Sequence, residues 1–376
     1  MSLPRSAIAQ FVDSLETPCA LVDLDRLAHN LDRMAAYCVL HGLSLRPHVK
    51  THKSPRIAAE QMRLGAVGLT CATPRELEVM SQTCSNLLLA HPPVGAAKVR
   101  RVLSLDPDVR LTVAIDSVDA AEPLAEAADA AGRDVDVFVE VDVGMRRVGV
   151  ATPAEAVAIA RRLRALSPLN YRGIAFYPGH VRQHRLRQDE ALGKLRDDLA
   201  GWLAALGDEG LAPEIVSGGS TPAAWRMHEV TGVTEVRPGT YVYNDRATVD
   251  VGACGWEDCA LTVLATVIST AVPGQAVVDA GSKALGREPL PAGEEAGYGC
   301  LLERTDVRVI RMSEEHGILD LRTTDWQPKV GDVVRIVPNH VCIVVHLNDV
   351  IHGVRGTVLE TSWPVSARGR VPQPAS

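Results

Sequence analysis

The chain has 376 residues, more than a single hydrophobic core usually organises, so two domains are expected unless one of them is a large barrel. Hydrophobic residues make up 46% of the chain and charged residues 23%, which excludes a disordered polar protein. A net charge of −7, without any run of Lys and Arg, excludes a typical nucleic-acid-binding protein.

The N-terminus and the cysteines predict a cytoplasmic protein. The first residues lack the sustained apolar segment of a secretory signal. The most apolar stretch, residues 259–273, is shorter than the ~20 residues that a membrane helix needs. Eight cysteines are scattered without a CxxC pair, which favours reduced thiols over a disulfide framework. We therefore expect neither a membrane nor a nucleic acid as partner, and small-molecule chemistry is favoured by elimination.

The first two thirds of the chain alternates short apolar runs with amphipathic segments of helical length. Eight such alternations, without a separate hairpin section, predict a (β/α)8 barrel. A doubly wound open sheet is the alternative, but no GxGxxG follows the first apolar run. The apolar runs are 20–22, 43–45, 67–71, 87–89, 111–115, 135–141, 173–177 and 214–216. The helical segments include 24–37, 54–64, 74–80, 120–131, 154–166 and 186–206.

After about residue 245 the composition changes to Thr- and Val-rich runs separated by Gly, Pro and Asp, which predicts a second, mostly β domain. We predict the barrel over 15–245 and the β domain over 246–376, with residues 1–14 packed on the β domain. The predicted strands of the β domain are 261–268, 275–279, 307–312, 317–321, 333–337 and 342–345.

A basic segment, RPHVKTHK at 46–53, follows the run that is predicted to be the second barrel strand. The C-terminal ends of barrel strands carry the catalytic groups of this fold. A lysine that forms a Schiff base needs an uncharged amine, and both burial and nearby cations lower the pKa of a lysine. The residues alone leave a solvated basic loop as the alternative. The residues that supply positive charge beside Lys50 are Arg46, His48, His52 and Lys53.

The string RPHVKTHKS, after TPCALVDLDRLAHNL at 17–31, resembles the start of the D-threonine aldolase/D-serine dehydratase family. The members of that family are pyridoxal-phosphate (PLP) enzymes with the alanine-racemase-type fold. The resemblance continues to the string SWPVSARG at 362–369. It implies a PLP-binding (β/α)8 barrel with a C-terminal mostly β domain, PLP held covalently on Lys50, and His48 among the residues that bind the cofactor.

Two strings rich in small residues are candidates for binding the cofactor phosphate. SGGSTP at 217–222 follows the predicted eighth strand, and PGTY at 238–241 is a second small-residue turn. Successive small residues let backbone N–H groups converge on an oxyanion, and a following helix adds its positive N-terminal end. A Gly-Gly loop alone is more often an ordinary turn, but the resemblance implies that both strings bind phosphate. The residues assigned to the cofactor here are Ser217, Gly218, Gly219, Ser220, Thr221, Gly239, Thr240 and Tyr241.

Two further strings follow the predicted sixth and seventh strands. In EVDVGMRRVG at 140–149, the resemblance implies that Arg147 reaches the cofactor, although the residues alone equally fit a salt-bridged loop arginine. In YPGH at 177–180, the resemblance places Tyr177 beside the pyridine ring. Aldolases of the family tend to read Tyr-x-Gly here and YPGH is a variant, so His180 remains open between an acid–base catalyst and a structural donor.

NHVC at 339–342 supplies an imidazole and a thiol two residues apart. On a strand, His340 and Cys342 would point to the same face. This pair suits Zn²⁺, with Mn²⁺, Co²⁺ or Mg²⁺ as less selective choices, although two such residues alone are more often structural. The resemblance implies a divalent metal on His340 and Cys342. EEHG at 314–317 resembles the family's EHG string, which implies that His316 lies beside the metal or acts as a base.

The resemblance implies a homodimeric lyase that acts on D-β-hydroxy-α-amino acids, but the strings divide between two reactions. The aldolases generally carry Asp where this chain has Cys342, whereas the dehydratases read His-x-Cys. The Tyr177 string and SWPVSARG favour the aldolases. We predict D-threonine aldolase-type cleavage to glycine and an aldehyde. The alternative is a D-serine or D-3-hydroxyaspartate dehydratase, which releases a 2-oxo acid and ammonia. A racemase would need a Tyr base opposite Lys50 that we cannot place, and PLP carrier proteins normally lack a β domain.

Overall fold

The computed structural model of the protein describes residues 15–370. These residues form two compact units. The barrel unit contains residues 32–239 and 366–370, and the β unit contains residues 15–31 and 240–365. The packing predicted for residues 1–14 lies outside the described part of the chain.

The strands and helices are numbered in chain order. The strands are β1 (Cys19–Asp23), β2 (Ser44–Leu45), β3 (Leu69–Cys71), β4 (Asn86–Leu89), β5 (Arg110–Ile115), β6 (Val135–Glu140), β7 (Leu169–Ala175), β8 (Ile215–Gly218), β9 (Glu235–Val236), β10 (Leu261–Ser269), β11 (Gln275–Val278), β12 (Gly299–Leu301), β13 (Val309–Met312), β14 (Gly317–Asp320), β15 (Val333–Pro338), β16 (Val350–Arg355) and β17 (Val358–Pro364). The α-helices are α1 (Leu24–Leu40), α2 (Pro55–Arg63), α3 (Pro74–Met80), α4 (Ala96–Leu103), α5 (Val118–Ala130), α6 (Pro153–Arg164), α7 (Asp189–Asp208), α8 (Arg246–Asp250), α9 (Ser282–Leu285) and α10 (Val341–Leu347).

The barrel unit is built on a parallel sheet of eight strands in the order β2-β9-β8-β7-β6-β5-β4-β3. A parallel bridge between His48 and Thr70 joins the two ends of this sheet, as does a bond of 2.9 Å from the Val67 N–H to the Leu45 carbonyl. Helices connect most successive strands, as parallel pairing requires. The predicted (β/α)8 barrel is therefore confirmed.

The central barrel strands are apolar along most of their length because both of their faces are covered. β5 and β6 bury nearly every residue, which is the pattern of parallel strands between a core and a layer of helices. Phe138 packs with Leu88, Ala114 and Ala175 from neighbouring strands, and its burial contributes about 1.5–3 kcal/mol. Helix ends follow local signals, such as the capping box of Thr152 with Glu155 that opens α6.

The sequence analysis was wrong about which run forms the first barrel strand. Run 20–22 lies in β1, which pairs antiparallel with β10 and parallel with β16 in the β unit. The barrel strand that the sequence analysis did not predict is β9, which contains Glu235 and only one apolar residue. Local hydrophobicity shows that a strand forms but not which strand it pairs with. Lys50 therefore follows the first barrel strand, and the units differ from the predicted domain limits of 15–245 and 246–376.

The β unit confirms a mostly β second domain. Its sheet follows the order β13-β14-β11-β10-β1-β16-β17, and β15 pairs with both β10 and β12. Every pair in it is antiparallel except β1 with β16. One predicted strand was wrong, since residues 342–345 lie in helix α10. None of the described helices is long and apolar enough to cross a membrane, and the cysteines are free thiols.

Candidate active site

Lys50 lies in a tight turn that follows β2 at the C-terminal end of the barrel. The Lys53 N–H donates to the Val49 carbonyl at 2.8 Å and closes this turn. Lys50 itself is half-buried, and its amine Nζ lies 5.7 Å from the centroid of the Tyr177 ring. The catalytic end of the barrel therefore presents an amine next to an aromatic ring, as the sequence analysis expected for a cofactor lysine.

The positive charge expected around Lys50 is largely absent. Burial, followed by the Lys50 charge, lowers the pKa of His48 well below its usual value, and burial lowers the pKa of His52 to about 3. Both imidazoles are therefore neutral near pH 7. The charge of Lys53 is paired with Glu76 and that of Arg46 with Glu235. The basic composition of the segment does not make a basic site, because burial and buried carboxylates neutralise it.

Tyr177 brings together side chains from three loops. The guanidinium carbon of Arg147 lies 4.8 Å from the centroid of the same ring that Lys50 approaches. Gly179 is required by this packing, since a Cβ there would lie 2.2 Å from the Tyr177 ring. The structure thus groups Lys50, Arg147 and Tyr177, which the sequence analysis had assigned to one cofactor from three distant strings.

The loop after β8 contains hydroxyl groups that have no protein partner. Ser220 and Thr221 are buried, and neither hydroxyl has a hydrogen-bond partner among the described residues. Gly218 approaches so closely that a Cβ there would lie 2.1 Å from the Phe176 ring, and Gly219 has a φ of 108°, which favours glycine. Buried unpaired hydroxyls are costly in a protein without a ligand, so the loop fits an oxyanion such as a phosphate.

The other residues assigned to phosphate binding divide into three groups. The Ser217 hydroxyl already donates to Glu235 at 2.5 Å and accepts from Arg237 at 2.6 Å. Gly239 packs against the Lys50 turn, where a Cβ would lie 2.9 Å from the Thr51 hydroxyl. Thr240 and Tyr241 begin a 3-10 turn at the start of the second segment of the β unit.

A buried polar network under this loop was missed by the sequence analysis. Arg46 Nε donates to Glu235 at 2.8 Å, and Arg237 donates to the Ser217 carbonyl at 2.8 Å and to the Phe176 carbonyl at 3.0 Å. Burial raises the pKa of Glu140, which Arg237 and Arg147 oppose. One feature of the sequence could have indicated this network. Glu235 interrupts an apolar pattern, and a charge that is buried in a strand needs a partner.

In the β unit, His340 is held by Asp245, another residue that the sequence analysis missed. Its Nδ1 lies 2.9 Å from an Asp245 carboxylate oxygen, which also accepts from the Val341 N–H at 3.1 Å. Asp245 caps α8, and its side chain is fully buried. Cys342, then Asp245, raises the pKa of His340 to about 11, and the His340 and Cys342 side chains are hydrogen-bonded.

The donor set at this position fits a metal ion. Nδ1 of His340 is bonded to a carboxylate, which is the common arrangement of metal-binding histidines. Its Nε2 would ligate the ion, which would replace the hydrogen bond between the imidazole and Cys342. The predicted strand was wrong, because His340 follows β15 and is the N-cap of α10. The first helical turn nevertheless keeps the Cys342 thiol beside the imidazole. Within residues 15–370, no cluster of three or more His, Cys, Asp or Glu forms a complete metal site.

The other two histidines that the sequence analysis named as candidate site residues, His180 and His316, are solvent-exposed. The ring of His180 lies against the loop after β6, where a Cβ on Gly144 would be 3.2 Å from it. His316 lies in the turn between β13 and β14, and its carbonyl accepts from the Ser313 N–H at 3.0 Å. Neither placement assigns a catalytic role, and the roles of both residues remain predictions.

Comparison with known proteins covers nearly the whole chain. The family model described as alanine racemase, N-terminal domain, matches residues 22–247, and the putative serine dehydratase domain matches residues 260–354. D-threonine aldolase of Arthrobacter sp is 32% identical over 94% of this chain and 93% of its own. D-threo-3-hydroxyaspartate dehydratase of Delftia sp. (strain HT23) is 36% identical over 88% of this chain and 91% of its own.

A solved structure agrees with these matches. The crystal structure of D-threonine aldolase from Filomicrobium marinum superposes with a TM-score of 0.86 at 34% identity, covering 94% of this chain and 96% of that one. The fold of this chain is thus shared over nearly its whole length with a D-threonine aldolase. The chain belongs to the PLP-dependent D-amino-acid lyase family, with the alanine-racemase-type fold, that contains the D-threonine aldolases and the D-serine dehydratases.

Proposed function

We propose that the protein is a PLP- and divalent-metal-dependent lyase that cleaves D-β-hydroxy-α-amino acids between Cα and Cβ, giving glycine and an aldehyde. The observation that carries this proposal is the grouping of the Lys50 amine, the Tyr177 ring and Arg147. Two unpaired hydroxyls lie at the same end of the barrel. Whole-chain similarity to D-threonine aldolase and to D-threo-3-hydroxyaspartate dehydratase supports a lyase of this class. The choice of the aldolase reaction rests on the Tyr177 string and on SWPVSARG at 362–369.

PLP would be held by residues of the barrel unit. The Lys50 amine would hold the cofactor covalently, Tyr177 and Arg147 would lie beside it, and the Ser220 and Thr221 hydroxyls would donate to the phosphate. The chemistry that PLP supplies when bound is withdrawal of electrons from the substrate Cα. Burial of Ser220 and Thr221 excludes water from competing for the phosphate contacts.

His48 would act in its neutral form. Its Nδ1 accepts from the Lys50 N–H at 3.4 Å, which assigns its proton to Nε2. Because burial lowers the pKa of His48 well below its usual value, this imidazole does not add a charge beside the amine. The Lys50 amine is then the barrel group best placed to take and return a proton at the substrate nitrogen or Cα.

His340 and Cys342 would hold the divalent metal through Nε2 and Sγ, with Zn²⁺ or Mn²⁺ as the expected ion and Mg²⁺ or Co²⁺ as alternatives. Asp245 holds Nδ1 of the imidazole, so Nε2 would be the nitrogen that ligates the metal beside the Cys342 thiol. A metal at this position supplies Lewis acidity for a substrate hydroxyl.

We include a homodimer and a cytoplasmic location in the proposal. Sedimentation measures the oligomeric state, and cell fractionation measures the location.

One observation favours a second function, D-3-hydroxyaspartate or D-serine dehydration to a 2-oxo acid and ammonia. This chain has His340 followed two residues later by Cys342. A solved structure of D-threo-3-hydroxyaspartate dehydratase with a cysteine-to-alanine replacement is in the metal-free form. His-x-Cys is also the pattern that the resemblance gives for the dehydratases, and the thiol of this chain supports the same reaction.

A product assay separates the two functions. The holoenzyme is incubated with D-threonine, D-serine and D-3-hydroxyaspartate, and glycine and ammonia are measured. Ammonia is the discriminating product, because cleavage of 3-hydroxyaspartate gives glyoxylate, which is itself a 2-oxo acid. Glycine without ammonia supports the aldolase, whereas ammonia without glycine replaces it by the dehydratase. Absence of both products with all three substrates would overturn the lyase proposal.

Two controls test the parts of the site separately. Lys50→Ala is expected to lose the absorption band of covalently bound PLP, and retention of that band would overturn the assignment of Lys50. His340→Ala and Cys342→Ala are expected to lower the bound metal content measured by elemental analysis, while the PLP band remains. Unchanged metal content in both variants would remove these residues from the metal site.

A further inference from the structure

The string SWPVSARG at 362–369 ends in a segment that the proposed function does not use. Residues 366–370, here called the C-terminal strap, belong to the barrel unit although they follow β17 of the β unit. Arg75 Nη2 donates to the Ser366 carbonyl at 2.8 Å, and Arg101 Nη1 donates to the Arg370 carbonyl at 2.6 Å. Ala367 is fully buried. The strap is thus hydrogen-bonded to the barrel near both of its ends and is buried at Ala367.

The buried part of the strap binds the turn that carries Lys50. The Ala367 N–H donates to the Lys53 carbonyl at 3.0 Å. The N–H of Lys53 donates to the Val49 carbonyl at 2.8 Å, and its ammonium is paired with the buried Glu76. Lys53 is therefore held through its N–H, its carbonyl and its side chain, and one of these three contacts comes from the strap.

Lys53 needs such contacts because of its backbone conformation. Its φ is 51°, in the left-handed region that is unfavourable for a residue with a side chain. A residue keeps this conformation only where its surroundings determine it. Lys50 lies inside the turn that Lys53 closes, so the direction of the Lys50 amine depends on the conformation of Lys53.

We propose that the C-terminal strap positions Lys50, through the bond from Ala367 to Lys53 that fixes the turn of residues 49–53. Strap and turn both belong to the barrel unit, so the inference concerns contacts within one compact body. Only its functional consequence, the attachment of PLP to Lys50, rests on the proposed function. The state of the turn itself is measured without cofactor.

The experiment compares a chain that ends at residue 365 with one that ends at residue 370, which keeps the strap. Hydrogen–deuterium exchange is followed in both apoproteins. Loss of strap contacts is expected to speed exchange of the Lys53 and Ser54 amides by about tenfold, while the amides of β5 and β6 keep their rates. Equal exchange at Lys53 and Ser54 in the two chains would overturn the inference.

A point variant keeps the test decisive if the shorter chain does not fold. Arg75→Met removes the donor to Ser366, and Arg100→Met makes the same replacement at an exposed position of α4. Faster exchange at Lys53 in Arg75→Met, with Arg100→Met like the parent, supports the strap. No difference between the two variants at Lys53 contradicts it.

A spectroscopic readout distinguishes positioning from general stability. PLP is added to the apoproteins, and the rate at which the band of lysine-bound PLP forms is measured across pH. The strap-less chain or Arg75→Met is expected to form the band about tenfold more slowly at an unchanged unfolding midpoint. An unchanged rate would overturn the positioning role. A band that also forms in Lys50→Ala would instead contradict the proposed function, whatever the exchange result.

Discussion

His52 lies two residues after Lys50, in the turn of residues 49–53, and is fully buried. Its Nδ1 accepts from the Ser54 N–H at 3.1 Å, and its Nε2 lies 3.2 Å from the Gln61 side-chain oxygen. These bonds fit a neutral imidazole that donates from Nε2. The residue illustrates how a histidine in a basic string serves the structure of the turn without carrying charge.

The pKa of His52 predicts a pH dependence of stability. Burial lowers this pKa to about 3, whereas an unfolded chain protonates the histidine near pH 6.5. The stability is therefore full above about pH 6.5 and falls as pH decreases, by up to about 1.4 kcal/mol per pH unit. Urea unfolding between pH 4.5 and 7.5 should show a shallower fall in His52→Gln. His29→Gln, at a side chain 63% exposed, should keep the parental slope, and equal slopes in all three proteins would contradict the prediction.

Replacement of Ser220 is predicted to weaken PLP binding without lowering the stability of the apoprotein. Its buried hydroxyl lacks a partner in the protein, so Ser220→Ala should leave the free energy of unfolding of the apoprotein unchanged or raise it. The same change should weaken PLP binding by about tenfold, because one donor to the phosphate is lost. Equilibrium dialysis and urea unfolding check the two parts. Loss of apoprotein stability together with unchanged PLP affinity would show that the hydroxyl does not face phosphate.

At the scale of elements, a helix-capping residue, Asp245, orients the candidate metal ligand His340 at the junction of β15 with α10. Asp245 accepts from the Thr248 N–H at 2.9 Å as the cap of α8, and its other oxygen holds His340 and the Val341 N–H. One carboxylate therefore fixes the start of two helices. His340 and Cys342 are therefore brought together by the first turn of a helix, and not by the alternation of side chains along a strand.

We predict that Asp245→Asn weakens metal binding by roughly 10–100-fold, the usual effect of removing a partner of a ligating histidine. The amide keeps the shape of the side chain, but its nitrogen cannot accept from His340 and Val341. Titration of the apoprotein with Zn²⁺ or Mn²⁺ against a chelating dye measures the affinity. Asp250→Asn, at the exposed end of the same helix, is the control and should bind like the parent.

At the scale of the whole molecule, two very short neighbouring strands, β2 and β9, lie beside the closure of the barrel between β2 and β3. The closure is reinforced by the buried pair of Arg46 and Glu235, whose side chains are 5% and 3% exposed. Glu235→Gln should lower the free energy of unfolding by about 3–5 kcal/mol, since it leaves a buried guanidinium without its charge partner. Urea unfolding measures this. Glu209→Gln, which breaks an exposed pair with Arg161, should cost under about 1 kcal/mol. Similar losses in both variants would contradict the prediction.

Much of the fold could be predicted from the sequence, because the central barrel strands are mostly apolar and their helices carry local start signals. β1 and β9 could not, since strand pairing depends on residues far away in the chain. Three of the cofactor candidates, Lys50, Arg147 and Tyr177, were found by separate strings, and the structure brings them together. Asp245 and Arg237 were missed because a single buried charge has no repeating pattern.

The sequence by itself determined the family and the two-domain composition, and it singled out Lys50 as the candidate cofactor lysine. These inferences depend on sequence strings and on hydrophobic periodicity, which can be recognised without coordinates. Only the tertiary structure decided the charge state of the turn of residues 49–53 and the partners of its residues. It neutralised His48 and His52 by burial and paired Lys53 with Glu76. It also brought Ala367 onto the carbonyl of Lys53, more than three hundred residues away in the chain. Burial sets the pKa values of these histidines, and long-range contacts set the position of the turn. Both depend on residues that are distant in the chain, so the local sequence does not reveal them.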